Sequence, residues 1–287
     1  MQTIKFLFTF FGMTAVLLSC KKDNLPTAPK LIVKIKVDST LGRLGNNGQP
    51  VAMPSGHAGQ NPIVNKIGAH YLEFSQTAYT PLGGGDVLYH APETNIGGTT
   101  AIDFDQSKVV TPGEVYLELP LSELAAGTYT YARLSLSYQN GDIKFYYAGQ
   151  PYWGTLASFV GYNTYIRQYA IKNQQVTVNA NKLQGYWGVE TINGVTTGQS
   201  PAGATTVPNP LFSTSPIPAG SCLVTGAFNT PLVITGNETG DVVVNLNLSI
   251  NKSFEWIDLN GNGKWDVDQN ENVVDMGLRG LFPTFTK

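Results

Sequence analysis

Apolar and polar residues alternate along most of this chain, and turn formers interrupt the alternation every few residues. "TYTYARLSLSYQ" (128–139) is the clearest run, with Thr, Tyr, Leu and Ser in period two. "LIVKIKVD" (31–38), "EVYLELPL" (114–121), "DIKFYYAG" (142–149), "TYIRQYAI" (164–171), "QVTVNAN" (175–181) and "YWGVETI" (186–192) follow the same rule. Period two places alternate side chains on opposite faces of a strand, so each run reads as half-buried β. "AHYLEFSQTAYT", "GDVLYHAP", "SCLVTGAF", "PLVITG", "DVVVNLNLSINKSFEW" and "NVVDMGLRG" read as further strands. No amphipathic helix pattern competes with them. Many short strands with regular turn signals predict an all-β chain, an antiparallel β-sandwich, as one large sandwich or two adjoining ones.

The N-terminus has a different logic. Lys5 is the only charged side chain before an apolar run from Phe6 to Leu18. A bilayer needs roughly 20 apolar residues, so this run is too short to span one. A basic start, an apolar core and small residues after it predict a signal peptide over residues 1–19. Its end, "VLLSC", resembles a bacterial lipobox, which implies cleavage before Cys20 and lipidation of that Cys. "CKKD" resembles the start of lipoproteins of Bacteroidota-type bacteria, which implies anchoring in the outer membrane, facing the cell surface. Residues 20–30, polar and carrying Pro26 and Pro29, read as a tether. The expected plan continues with a β-sandwich over 31–193, a loop-rich connection over 194–220 and a C-terminal β region over 221–287, which either shares that core or has its own. "ELPLSELAAGTYTYARLSLSY" resembles a hairpin of Bacteroidota lipoproteins with immunoglobulin-like or transthyretin-like sandwiches. There a "PAGTY" turn leads into a strand, and Ala125 stands here in place of the Pro. The likeness implies a location and a fold and carries no activity.

Composition excludes some functions. With 18 Lys and Arg against 20 Asp and Glu there is no basic stripe, so nucleic acid is not an expected partner. No Gly-x-Ser-x-Gly elbow and no phosphate-cradling Gly-Lys-Ser/Thr occurs. Asp103 and Asp105 share a strand face by spacing, a pattern common on solvated faces. If Cys20 carries lipid, Cys222 has no disulfide partner and reads as a small buried hydrophobe.

The strongest site signal is "DLNGNGKWDVDQNE" (258–271). On a calcium-loop template, Asp258, Asn260 and Asn262 fall at positions one, three and five. Gly263 falls at the sharp turn, Lys264 offers its carbonyl at seven, and Asp266 falls at nine. The run resembles calcium loops of the dockerin and thrombospondin-repeat type, "DxNxNGxxD". It departs at position twelve, where Gln269 replaces a bidentate Glu; Asp268, Glu271 or Asp275 would have to supply that carboxylate. A weak site, with a dissociation constant on the order of 10⁻⁴ to 10⁻³ M, is expected. The competing reading is a solvated hairpin turn, since Asn-Gly occurs twice and favours tight turns.

Other candidates are more diffuse. Between Phe145 and Trp187, 11 of 43 positions are aromatic, against 11% for the chain. Each of the pairs "YY", "YW" and "YW" must send one ring outward, so Tyr147, Trp153 and Trp187 are candidate contacts for a glycan or an envelope protein. His57, His70 and His90 lie near Glu73, Asp86 and Glu93 but lack a tight His-x-x-x-His spacing; a metal-handling site would need them to converge in space. "DST" (38–40) resembles a Bacteroidota O-glycosylation motif, with Ser39 the acceptor. Together these signals predict an outer-membrane-anchored, non-enzymatic binding, adhesive or structural module stiffened by one calcium ion. An envelope glycan hydrolase and a metal-handling protein are the alternatives.

Overall fold

The computed structural model describes residues 28–44, 49–200, 215–218, 221–278 and 280–287. The stretch read as a signal peptide, Cys20 and most of the stretch read as a tether lie outside the described residues. The strands in chain order are β1 (Lys30–Asp38), β2 (His57–Gln60), β3 (Ile63–Ser75), β4 (Asp86–His90), β5 (Glu93–Thr94), β6 (Ala101–Asp103), β7 (Val109–Val110), β8 (Val115–Pro120), β9 (Gly127–Tyr147) and β10 (Gln150–Phe159). They continue with β11 (Asn163–Ala170), β12 (Gln175–Leu183), β13 (Tyr186–Thr191), β14 (Gly194–Gln199), β15 (Cys222–Ile234), β16 (Val242–Ser249), β17 (Phe254–Ile257), β18 (Val273–Asp275) and β19 (Leu281–Thr286). The fold is all-β, of sandwich type, and mostly antiparallel. Among the described residues two strand pairings are parallel, β1 with β16 and β6 with β11, and an isolated parallel bridge joins Tyr146 to Asp266.

The spine is β9. Its first half pairs with β15, from Cys222 opposite Leu136 to Ile234 opposite Gly127. Its second half pairs with β10, from Phe159 opposite Tyr138 to Gln150 opposite Tyr147. β15 and β10 thus lie end to end along one edge of β9, and β3 occupies the other edge. The central sheet runs β14-β13-β10-β9-β3-β4. A second sheet, β19-β16-β1-β8, covers one face, and Leu31, Val33, Val244 and Leu246 pack with Leu72, Phe74, Leu134 and Leu136.

A third sheet, β12-β11-β6-β5, covers the opposite face at the other end of β9, around Tyr138, Phe159, Ile166 and Tyr169. Leu136 and Tyr138 are two residues apart, so an unbroken strand would face them the same way. They sit in different cores because the ladder skips Ser137: Gly68 pairs with Tyr138, Ala69 with Leu136. The same ladder skips His70, since the next pair is Tyr71 with Ser135. Extra residues of this kind are β-bulges; they re-aim side chains, and here they let one strand serve two cores.

The strand readings differ from the structure in a few places. "TYTYARLSLSYQ" and "DIKFYYAG" are one strand, because Asn140-Gly141 makes no turn. The Asn140 amide donates to Ile171 O at 2.8 Å, and Gly141 lies against Ile63, whose carbonyl oxygen would sit 2.9 Å from an added Cβ. "SCLVTGAF" and "PLVITG" likewise merge into β15, across a register shift between Ala227 and Leu232. Conversely "DVVVNLNLSINKSFEW" splits into β16 and β17, with Lys252 at a positive φ between them. The stretch read as a loop-rich connection begins with a strand, β14, paired to β13. Asp105 leaves the strand for a 3₁₀ turn (Phe104–Gln106) and pairs with Arg167 at 3.0 Å.

Candidate functional site

The acidic loop joins β17 to β18, which pair as a hairpin with Trp256 opposite Val273. Between them the chain curls through successive side-chain-to-backbone turns. Asp258 accepts the Asn262 and Gly263 amides at 3.2 and 2.9 Å; Asn260 Oδ1 accepts the Asn262 amide at 3.0 Å; Asn262 Oδ1 accepts the Lys264 amide at 2.7 Å. Gly261 and Gly263 hold φ of 70° and 71°, a region that favours glycine. The Asn260 and Asn262 amides both donate to Asp266 Oδ2, at 3.0 and 2.7 Å. Those two donors hold the Asp266 carboxyl below the usual carboxylate range.

Glu271 closes the loop at its base. Its two oxygens accept the Leu259 and Asp266 amides at 3.1 and 2.7 Å, and the residue is buried. Gln269, at template position twelve, is exposed, and Asp268 instead accepts the Ala148 amide at 3.0 Å. Asp258, Asn260, Asn262 and Asp266 are thus linked in one curl, with the Lys264 carbonyl held by the Trp256 indole N–H at 3.0 Å. Asp275 stands apart, on β18 opposite Glu255, with Oδ1 accepting the Gly277 amide.

The loop docks on the end of β9. The Tyr146 amide donates to Trp265 O at 2.8 Å, and the Val267 amide donates to Tyr146 O at 3.0 Å. This docking walls a cleft of about 530 Å³ against the face of β9, β10, β13 and β14. Ile143, Phe145, Leu156, Trp187, Trp265 and Met276 make it largely apolar, and Glu271 and Asn272 lie at the loop side.

Of the aromatic candidates, Trp187 lines this cleft. Tyr147 and Trp153 are exposed at the far end of the β9–β10 hairpin, with Tyr152 beside them stacked on Phe145 at 5.7 Å between ring centres. Trp153 pairs with Lys144 and so faces away from Ile143 and Phe145. It borders a smaller hollow of about 270 Å³ that also holds Asp142 and Glu190. Burial disfavours the Asp142 carboxylate, but Thr155, Lys172 and Asn65 outweigh it and keep its pKa low. Burial likewise opposes Glu190, and the backbone amides of Gln174, Lys172 and Asn173 outweigh it. Both groups are therefore ionised.

The three histidines do not form one site. His57 Nδ1 meets Glu255 at 2.6 Å, beside Arg43. His70 and His90 do converge, with Glu93 of β5, although their sequence spacing carries no sign of it. Ser39 lies half-buried just after β1, where Asp38 accepts both the amide and the hydroxyl of Thr40. Cys222 is a buried free thiol, and burial, with Asp275 nearby, pushes its pKa up to about 12. No helix among the described residues is long and apolar enough to cross a membrane. Comparison with protein-family models, curated proteins and solved structures found no match to this chain.

Proposed function

We propose that this protein is a lipid-anchored cell-envelope binding module, non-enzymatic, whose ligand cleft is braced by one calcium ion. The anchor reading rests on the lipobox-like "VLLSC" and Cys20. The observation that carries the binding reading is the Trp187–Trp265 cleft, one wall of which is the acidic loop itself. Aromatic and aliphatic walls recover free energy by covering apolar groups, on the order of 25 cal/mol per Å². The ligand that fits best is an extended segment of an envelope protein presenting apolar side chains. Among the described residues β14 is an edge of the central sheet beside the cleft, and an extended peptide can pair with such an edge. Calcium, held by Asp258, Asn260, Asn262, Lys264 O, Asp266 and Glu271, would stiffen the wall that carries Trp265.

A second ligand class has its own support. Tyr147 and Tyr152 expose rings on one face of the hairpin end and Trp153 exposes its indole on the other, each a surface suited to sugar stacking. Hydrolysis of such a sugar is less well supported. Asp142 and Glu190 beside Trp153 are both held ionised, whereas glycoside cleavage needs one carboxyl kept protonated as the acid.

Tryptophan fluorescence tests the reading. The chain is titrated with synthetic peptides of alternating apolar and polar residues, and separately with envelope oligosaccharides, in millimolar calcium and in chelator. The expected result is saturable peptide binding that weakens several-fold in chelator or in Asp258→Ala, is lost in Trp187→Ala and persists in Trp153→Ala. Saturation by oligosaccharides alone, lost in Trp153→Ala, would move the site to the hairpin end. No saturation by either class would sink the binding module.

A further inference from the structure

His70, His90 and Glu93 come from three different strands. His70 occupies the bulge of β3, His90 ends β4 and Glu93 begins β5. The two His Nε2 atoms are 3.1 Å apart, and Glu93 Oε1 lies 3.0 Å from His70 Nε2 and 3.3 Å from His90 Nε2. Three atoms with lone pairs thus form a nearly equilateral triangle. Hydrogen bonds alone suit such a triangle badly, because an N–H wants its acceptor in line and cannot point at two corners. A cation suits it well. With metal–ligand bonds of about 2.1 Å, these separations correspond to angles of roughly 90 to 105°, the range of one face of a tetrahedral or octahedral shell.

The surroundings agree. Tyr162 donates its hydroxyl to the same Glu93 oxygen at 2.9 Å and so orients the carboxylate. His70 is fully buried, and its Nε2 points at Glu93 and His90. Ring contacts with His90 at 4.7 Å and Tyr162 at 5.4 Å fix the imidazole in place. His90 and Glu93 remain 38% and 28% exposed, which leaves one side of the triangle open to solvent.

We infer that His70, His90 and Glu93 bind one divalent first-row transition ion of the zinc class, through three protein ligands with an open outward position for water or a substrate oxygen. Two imidazoles and one carboxylate suit zinc or its neighbours and not calcium, which takes hard oxygen ligands. The site is separate from the acidic loop, and none of β3, β4 and β5 contributes to the apolar cleft.

The test uses the full chain in detergent, stripped with chelator and titrated with zinc chloride by calorimetry. Cobalt(II) serves as a visible spectroscopic probe. Native protein is expected to saturate at one equivalent and to show cobalt d–d bands that zinc bleaches and millimolar calcium does not. His90→Ala and Glu93→Gln, partly exposed positions that leave the core intact, should lose more than the roughly 10- to 100-fold typical of losing an outer partner. Tyr162→Phe should fall within that smaller range. No stoichiometric zinc binding by native protein would overturn the proposal. So would unchanged affinity in His90→Ala with far-UV circular dichroism intact, or displacement of cobalt by calcium.

Discussion

At the scale of single residues, a buried ion pair joins β3 and β9 of the central sheet. Glu73 and Arg133 are 0% and 1% exposed and approach to 3.7 Å. Glu73 also accepts the Tyr71 hydroxyl at 3.0 Å and the Gly83 and Gly85 amides at 3.2 and 2.8 Å. The carboxylate therefore serves as an anchor for the turn between β3 and β4 as well as a counter-charge. Removing one partner of a buried pair strands the other in low dielectric, which costs about 3 to 5 kcal/mol. Glu73→Ala should lower the urea midpoint accordingly, and the double variant Glu73→Leu/Arg133→Met should recover part of the loss. A midpoint unchanged by Glu73→Ala would mean that Arg133 finds water or another partner, and the anchor role would fall.

At the scale of elements, β9 decides the architecture, and Gly141 lets β3 pack close against it. An Asn-Gly pair between two alternating runs is a strong hairpin signal. Here the neighbouring backbone of β3 comes so close that a Cβ at Gly141 would meet Ile63 O at 2.9 Å and Ile63 C at 3.4 Å. The glycine is thus used for close approach rather than for a turn. Gly141→Val should push β3 away from β9 and cost about 1 to 3 kcal/mol, as overpacking does. Thermal unfolding measures it. An unaffected midpoint would show that β3 yields at little cost, and the close approach would then not be the reason for the glycine.

At the scale of the whole molecule, the first core draws on both ends of the described chain. Leu31, Val33 and Ile35 of β1 pack with Val242, Val244 and Leu246 of β16 and with Leu281 of β19. β1 lies between β8 and β16, and β15 is a full partner of β9. No cut through residues 194–220 would leave either side with a complete core. A single cooperative transition is expected, with circular dichroism and tryptophan fluorescence giving coincident urea curves. Two separated transitions would argue for two units that unfold alone.

The sequence by itself determined the strands, because period-two burial is a local property that a linear pattern records. "TYTYARLSLSYQ" reads as a strand whichever neighbour it finds. The run from Asp258 to Asp266 also shows itself in the sequence, since its oxygen-bearing side chains recur within one short loop. Only the tertiary structure decided which strands meet, where a bulge turns a side chain to the other face, and that Asn140-Gly141 is not a turn. The His70–His90–Glu93 triangle belongs to the same class. Its members sit on separate strands, and a bulge sets the aim of His70. Pairing partners and bulges depend on contacts between residues far apart in the chain, and periodicity within one segment carries no record of them.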